Sequence, residues 1–181
     1  MRDLAEEEDS APASKDIIRG AVVLAVAALD AYVTDVFAEK LVSYLKSYSP
    51  DESLINLLND AGLDTKEALT MISMDRPYRR IRTLIRHHYL THTTQQLDVI
   101  DEMFLPYRLK NLTDNAERRA QRKTLCSSVE KLVEKRHRIS HGGDYNAHGR
   151  IRNIDESVVE RRMNDMELLV KHMDDIICNR I

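Results

Sequence analysis

The stretch from Ser14 to Tyr48 constrains the fold more than any other part of the chain. Ile18, Val22, Ala25, Leu29, Tyr32 and Val36 recur at steps of four and three, the period of one helix face. Their neighbours Val23, Leu24, Val26 and Ala28 are apolar too, so this helix is nearly hydrophobic all round. Such a helix is expected to be central, with other elements packed about it. Ser14 can cap its start, and Ser49-Pro50 ends it, because proline disfavours helical geometry in the residue before it. Asp30 interrupts the apolar surface. The longest unbroken apolar run, Ala21 to Leu29, is far short of the ~20 residues that span a bilayer. No basic segment precedes a cleavable apolar stretch, so the expected setting is the cytoplasm, with no membrane partner.

The remaining elements are also expected to be helical. Short helices are expected over Asp51–Asp60, between Pro50 and Gly62, and from Thr65 to about Ser73. Pro77 can open a helix over Tyr78 to His92, with Ile81, Leu84, Ile85 and Tyr89 on one face. A further helical segment runs from Gln95 to about Tyr107. A single long helix then extends from a cap at Thr113 or Asp114 to Ser140, where Gly142-Gly143 stops it. After a loop to Asn153, Asp155 opens the last helix, whose stripe is Val159, Met163, Met166, Val170, Met173 and Ile177. Five glycines and four prolines in 181 residues leave few turn formers for a strand-rich fold. The expectation is an all-α bundle, a four-helix core plus short extra helices, over residues 14–181, preceded by a disordered acidic tail at 1–13.

The net charge of −3 argues neither for nor against nucleic acid, but the distribution is uneven. Residues 1–9 carry Asp3, Glu6, Glu7, Glu8 and Asp9, whereas 76–97 holds Arg76, Arg79, Arg80, Arg82 and Arg86 and no acid. That basic stretch reads either as a solvated helix face or as an RNA track, with Tyr78 and Tyr89 available to stack on bases. Arg118, Arg119, Arg122 and Lys123 can extend it, or pair along their own helix with Asp114 and Glu117. Cys126 and Cys178 read as two reduced, packed thiols.

The chemically informative segment is Glu134-Lys135-Arg136-His137-Arg138-Ile139-Ser140-His141-Gly142-Gly143. Leu125, Val129 and Leu132 mark an apolar seam whose next step of four lands on Arg136. A buried unpaired guanidinium is costly, so an anion should meet it, either an internal carboxylate such as Asp30 or a phosphate. His141 lies at the helix end, where the partial negative charge of the terminus suits a cation. A proton-transferring imidazole beside a fixed cation suits phosphodiester cleavage. The competing reading is an ion-paired arginine and a histidine at a helix end. His88 with His92, and His137 with His141, are also spaced to face one metal, and Glu134 with His137 forms one Glu-x-x-His unit. No second unit accompanies it, and neither a metal site nor a cofactor is expected.

This segment resembles the R-x-x-x-x-H signature of the HEPN superfamily. Ala28-Leu29-Asp30-Ala31-Tyr32 in the first helix, the basic Arg79-Arg80-Ile81-Arg82 and the closing helix after Ile154-Asp155 look like the RiboL-PSP-HEPN subgroup, with the MAE-type HEPN nucleases nearly as close. The resemblance covers most of residues 15–178. It implies a homodimer in which both motif helices line one cleft and RNA is cleaved without metal, leaving 2′,3′-cyclic phosphate and 5′-hydroxyl ends. Carried onto this chain, His141 is the acid/base, Arg136 the phosphate clamp and His137 the polar neighbour. Asp30 matches an acidic position of the first helix and either orients Arg136 or His141 or is a plain ion-pair partner. Arg79, Arg80, Arg82, Arg86 and Arg138 are the expected RNA-binding residues. The resemblance further implies a toxin or anti-phage effector with an antitoxin or defence-system partner protein, or alternatively a non-catalytic dimerisation, docking or RNA-binding module. Some toxins of the superfamily carry a modifiable tyrosine two residues after the motif histidine. Here that position is Gly143 and the nearest tyrosine is Tyr145, a departure that leaves that mode of control without its residue.

Overall fold

The computed structural model describes the backbone of residues 3–89 and 94–181. Among these residues the chain is all-helical: α1 (Asp3–Ser47), α2 (Glu52–Asp60), α3 (Thr65–Ile72), α4 (Pro77–Tyr89), α5 (Leu97–Met103), a 3-10 turn (Leu105–Tyr107), α6 (Leu112–Ala120), α7 (Leu125–Gly142) and α8 (Glu156–Arg180). Helix α1 begins at Asp3, within the acidic segment, and Ser14 lies inside it rather than at its cap. His92, the expected end of α4, lies outside the described residues.

Side-chain capping fixes three helix starts. The Asp51 carboxylate accepts from the Leu54 amide at 2.9 Å, and Asp64, rather than the expected Thr65, accepts from the Glu67 amide at 2.7 Å. Asp155 caps α8, accepting from the Val158 amide at 3.2 Å and the Ser157 hydroxyl at 2.7 Å. The Ser157 hydroxyl, followed by the Val158 amide, holds the Asp155 carboxyl below its usual range. The single long helix expected from Thr113 to Ser140 is instead two. Gln121 adopts a left-handed backbone, φ 54°, that ends α6, and the Glu117 carboxylate accepts from the Cys126 amide at 2.7 Å in the first turn of α7.

Two compact units result, each drawing on one part of α1. The first comprises Met1–Leu29 with Ala116–His172, and the second Asp30–Asn115 with Met173–Ile181. The first unit buries Val22, Val26, Leu29, Leu125, Val129, Leu132, Val159, Met166 and Leu169. In the second, Phe37 stacks on Tyr107 with ring centroids 4.5 Å apart, and the Tyr107 hydroxyl donates to the Phe37 carbonyl at 2.7 Å. Phe104 and Tyr89 meet Phe37 edge-on, each at 5.6 Å, and burial pushes the Tyr89 hydroxyl up to about 12.

The buried stripe of α1 is Val22, Val26, Leu29, Val33, Phe37 and Leu41, while Ile18, Ala25 and Tyr32 are only half-buried. An all-round apolar helix gives its pattern no edge, so the periodicity located the helix and put Val22, Leu29 and Val36 on its buried face but not Val26, Val33, Phe37 and Leu41. By length and composition alone, the Ala13–Ser47 part of α1 is apolar enough to cross a membrane, contrary to the expectation from its longest unbroken run. Val22, Val26, Val33, Phe37 and Leu41 are fully buried, but Ile17 and Leu24 are exposed, and 39% of the apolar window lies inside the protein, so the core accounts for only part of that apolarity.

Candidate functional site at the end of helix α7

Helix α7 sits in the first unit and buries Leu125, Val129, Leu132 and then Lys135. The seam therefore continues by a step of three onto Lys135, not by the expected step of four onto Arg136. Lys135 is 8% exposed, and its ammonium donates to Asp144 Oδ2 at 2.5 Å. Asp144 is itself 1% exposed and also faces the guanidinium of Arg19, with Nε 3.4 Å from Oδ2. Arg19 reaches further, donating to the Arg152 carbonyl at 2.7 Å and to Asp16 at 3.1 Å. One buried carboxylate thus lies between two buried cations, and the loop that follows α7 is anchored to α1 through it.

The loop geometry depends on two successive left-handed residues, Gly143 at φ 58° and Asp144 at φ 61°. Gly143 donates to the Ile139 carbonyl and Asp144 to the Arg138 carbonyl, at 3.1 and 3.2 Å, closing the last turn. A Cβ on residue 143 would meet the Tyr145 ring at 3.0 Å, so at the second position after the motif histidine glycine suits both the left-handed torsion and the close ring. An isolated antiparallel bridge joins Tyr145 to Ile151, and the Arg152 amide donates to the Asp144 carbonyl at 2.9 Å.

On this scaffold Arg136 is half-buried, and its Nε is shut off from solvent without a hydrogen-bond partner. Among the described residues no carboxylate lies within ion-pair distance of it. His137 and His141 are both exposed one turn apart, their ring centroids separated by 4.5 Å. Arg138, also exposed, lies 3.7 Å from Glu134. Helix α7 thus carries a cation with no carboxylate partner among the described residues and, one and five positions further on, two accessible imidazoles, groups that can hold an anionic oxygen and move protons.

The other expected residues lie in the second unit. The Asp30 carboxylate accepts from the Thr94 amide at 2.9 Å and from the Thr94 hydroxyl, a local role at the approach to α5. On α4, Arg80 pairs with Glu67 at 2.6 Å, and Arg86 with Asp35 at 2.7 Å and Glu39 at 3.7 Å. Arg82 is half-buried with its Nε unpartnered, and Arg79 is exposed. Acids from α1 and α3 thus occupy two of the arginines that the sequence offered as an RNA track. Among the described residues no three His, Cys, Asp or Glu side chains converge on a common point, and His92 lies outside them.

Lys135, Asp144 and Arg19 were not singled out by the sequence pattern. The available signal is an acid directly after a Gly-Gly helix stop, together with a lysine three residues past the last seam leucine. A family model described as RiboL-PSP-HEPN matches residues 2–179. No curated protein and no solved structure matches the chain.

Proposed function

The chain belongs to the RiboL-PSP-HEPN family, and from that premise we propose that it is a metal-independent endoribonuclease acting through Arg136, His137 and His141. The observation that carries this reading is the state of Arg136, a half-buried guanidinium that meets no carboxylate among the described residues, on the helix that also exposes the neighbouring imidazoles of His137 and His141. Arg82 on α4 is in the same half-buried, unpartnered state, so what sets Arg136 apart is the pair of exposed imidazoles on its own helix. A substrate phosphate supplies Arg136 with an anion.

The reaction is an internal transfer. The RNA 2′-hydroxyl oxygen attacks the adjacent phosphorus, the bond to the 5′-oxygen breaks, and no water is consumed. One proton leaves the 2′-hydroxyl and one reaches the departing 5′-oxygen. His141 serves as the acid/base, with His137 beside it as a polar neighbour, and Arg136 stabilises the charge on the non-bridging oxygens. In the dimer this reading entails, two α7 helices line one cleft. Asp30, held by Thr94, acts as a local ion or hydrogen-bond partner in its own unit. The setting we propose is cytoplasmic, in a toxin or anti-phage system whose partner protein restrains the nuclease.

The test is cleavage of labelled single-stranded RNA in excess EDTA. Wild type is expected to leave cyclic-phosphate ends, and His141→Ala and Arg136→Ala to lose at least about a hundredfold in rate, the lower range for an acid/base or oxyanion contact. If a folded wild type cuts no RNA with or without metal, the non-catalytic docking module replaces the nuclease.

A further inference from the structure

At the opposite end of α7 a cavity of about 340 Å³ is lined by Arg122, Thr124, Ser127, Ser128, Lys131, Arg161, Arg162 and Asp165, all in the first unit. Four cations face it against one carboxylate. Asp165, 2% exposed, is spent on Arg122, whose guanidinium lies 2.6 Å from Oδ1. Among the described residues Lys131, Arg161 and Arg162 make no ion pair, although Arg161 also lies within electrostatic reach of Asp155. Three hydroxyls and the positive end of the α7 dipole add to the same field. No aromatic ring and no large apolar side chain lines the cavity, so it offers nothing for a base to stack on. Its chemistry is that of a phosphate receptor.

Its position gives it a use. Ser127, Lys131, Glu134, Arg138 and His141 follow one another at steps of four, three, four and three, and all five are exposed. One solvent-facing stripe of a continuous helix therefore runs from the cavity to the motif histidine. At 1.5 Å per residue the two ends are roughly 20 Å apart, a span of several nucleotides.

We infer that this cavity binds a backbone phosphate of the RNA several nucleotides from the scissile one, so that the strand lies along the exposed face of α7. The inference rests on the nuclease reading for its choice of RNA, and is tested by binding rather than cleavage. The probes are 2′-O-methyl oligoribonucleotides, which lack the attacking hydroxyl, a 12-mer long enough to span the stripe and a 4-mer too short to do so. Affinities are measured by fluorescence anisotropy between 50 and 200 mM salt for the full chain and for Lys131→Ala/Arg161→Ala. Both side chains are exposed, and an unchanged circular dichroism spectrum and Tm check the fold.

The double variant is expected to bind the 12-mer at least tenfold more weakly at low salt. Its salt slope should fall by roughly 0.7 for each phosphate that the removed cations had neutralised, and the 4-mer, which can enter the cavity but cannot also reach the motif, should be bound more weakly than the 12-mer by wild type. Equal 12-mer affinity and slope in the two proteins overturn the inference whether or not wild type cuts RNA. Weakened 12-mer binding in a wild type that cuts no RNA leaves the phosphate site standing and removes only the catalytic reading. Inorganic pyrophosphate distinguishes the remaining source. If it raises the Tm of wild type but not of the variant while the 12-mer is indifferent to the substitutions, the cavity takes a free polyphosphate and the RNA assignment falls.

Discussion

Asp144 is the residue whose removal should be felt most widely. Its carboxylate is the common partner of Lys135 and Arg19, and its backbone closes both the last turn of α7 and the start of the following loop. Substitution by alanine leaves Lys135 without its anion and Arg19 with only the exposed Asp16 and the Arg152 carbonyl, and breaking a buried pair typically costs about 3–5 kcal/mol. Urea unfolding of Asp144→Ala should show a loss in that range. A loss under about 1 kcal/mol would mean that water reaches both cations and that the pair does not hold the loop. The same balance of burial against compensation separates neighbours on α7. Lys135 is compensated and internal, Arg136 is half-buried with no ion-pair partner among the described residues, and His137 is exposed, so three successive side chains occupy three electrostatic situations. The motif itself was legible because its residue types and spacing are chemical. Its support was not, because the partner of Lys135 lies beyond the helix stop, and only the left-handed pair Gly143-Asp144 turns that carboxylate inward.

At the scale of elements, the apolar periods covered the described helices, and carboxylates at Asp51, Asp64 and Asp155 set where three of them begin. The break between α6 and α7 escaped the periodicity because neither glycine nor proline marks it. Gln121 takes the left-handed conformation there, and Glu117 supplies the capping oxygen from the preceding helix. A left-handed L-residue costs roughly 1–2 kcal/mol, whereas glycine in its place costs about 0.5–1 kcal/mol of extra chain entropy. Gln121→Gly is therefore expected to stabilise the protein by up to about 1 kcal/mol, seen as a higher Tm. A lower Tm would show that the glutamine side chain contributes more than its torsion costs. The break also matters for the cavity, since Arg122 and Thr124 reach its rim from the turn that the break creates. A continuous helix would have carried them around its surface instead.

For the whole molecule, the consequence to check is assembly. In the proposed dimer each catalytic cleft needs two α7 helices, so dilution should lower specific activity and Tm together. Light scattering and activity measured across the same concentration series test this, and a monomer with full activity per chain would remove the composite cleft. The two units differ in how they treat charge. In the second, Glu67, Asp35 and Glu39 neutralise arginines of α4, whereas in the first Lys131, Arg161 and Arg162 line one cavity without an ion pair among the described residues, its one carboxylate, Asp165, being taken by Arg122. The formal charge of −3 therefore averages over a surface that is locally strongly positive. In practice the chain should behave in purification as two different proteins: retained on heparin or a cation exchanger at low ionic strength, as its cavity dictates, and carrying cellular nucleic acid with it unless the lysate is washed at high salt, though its overall charge would send it to the opposite resin.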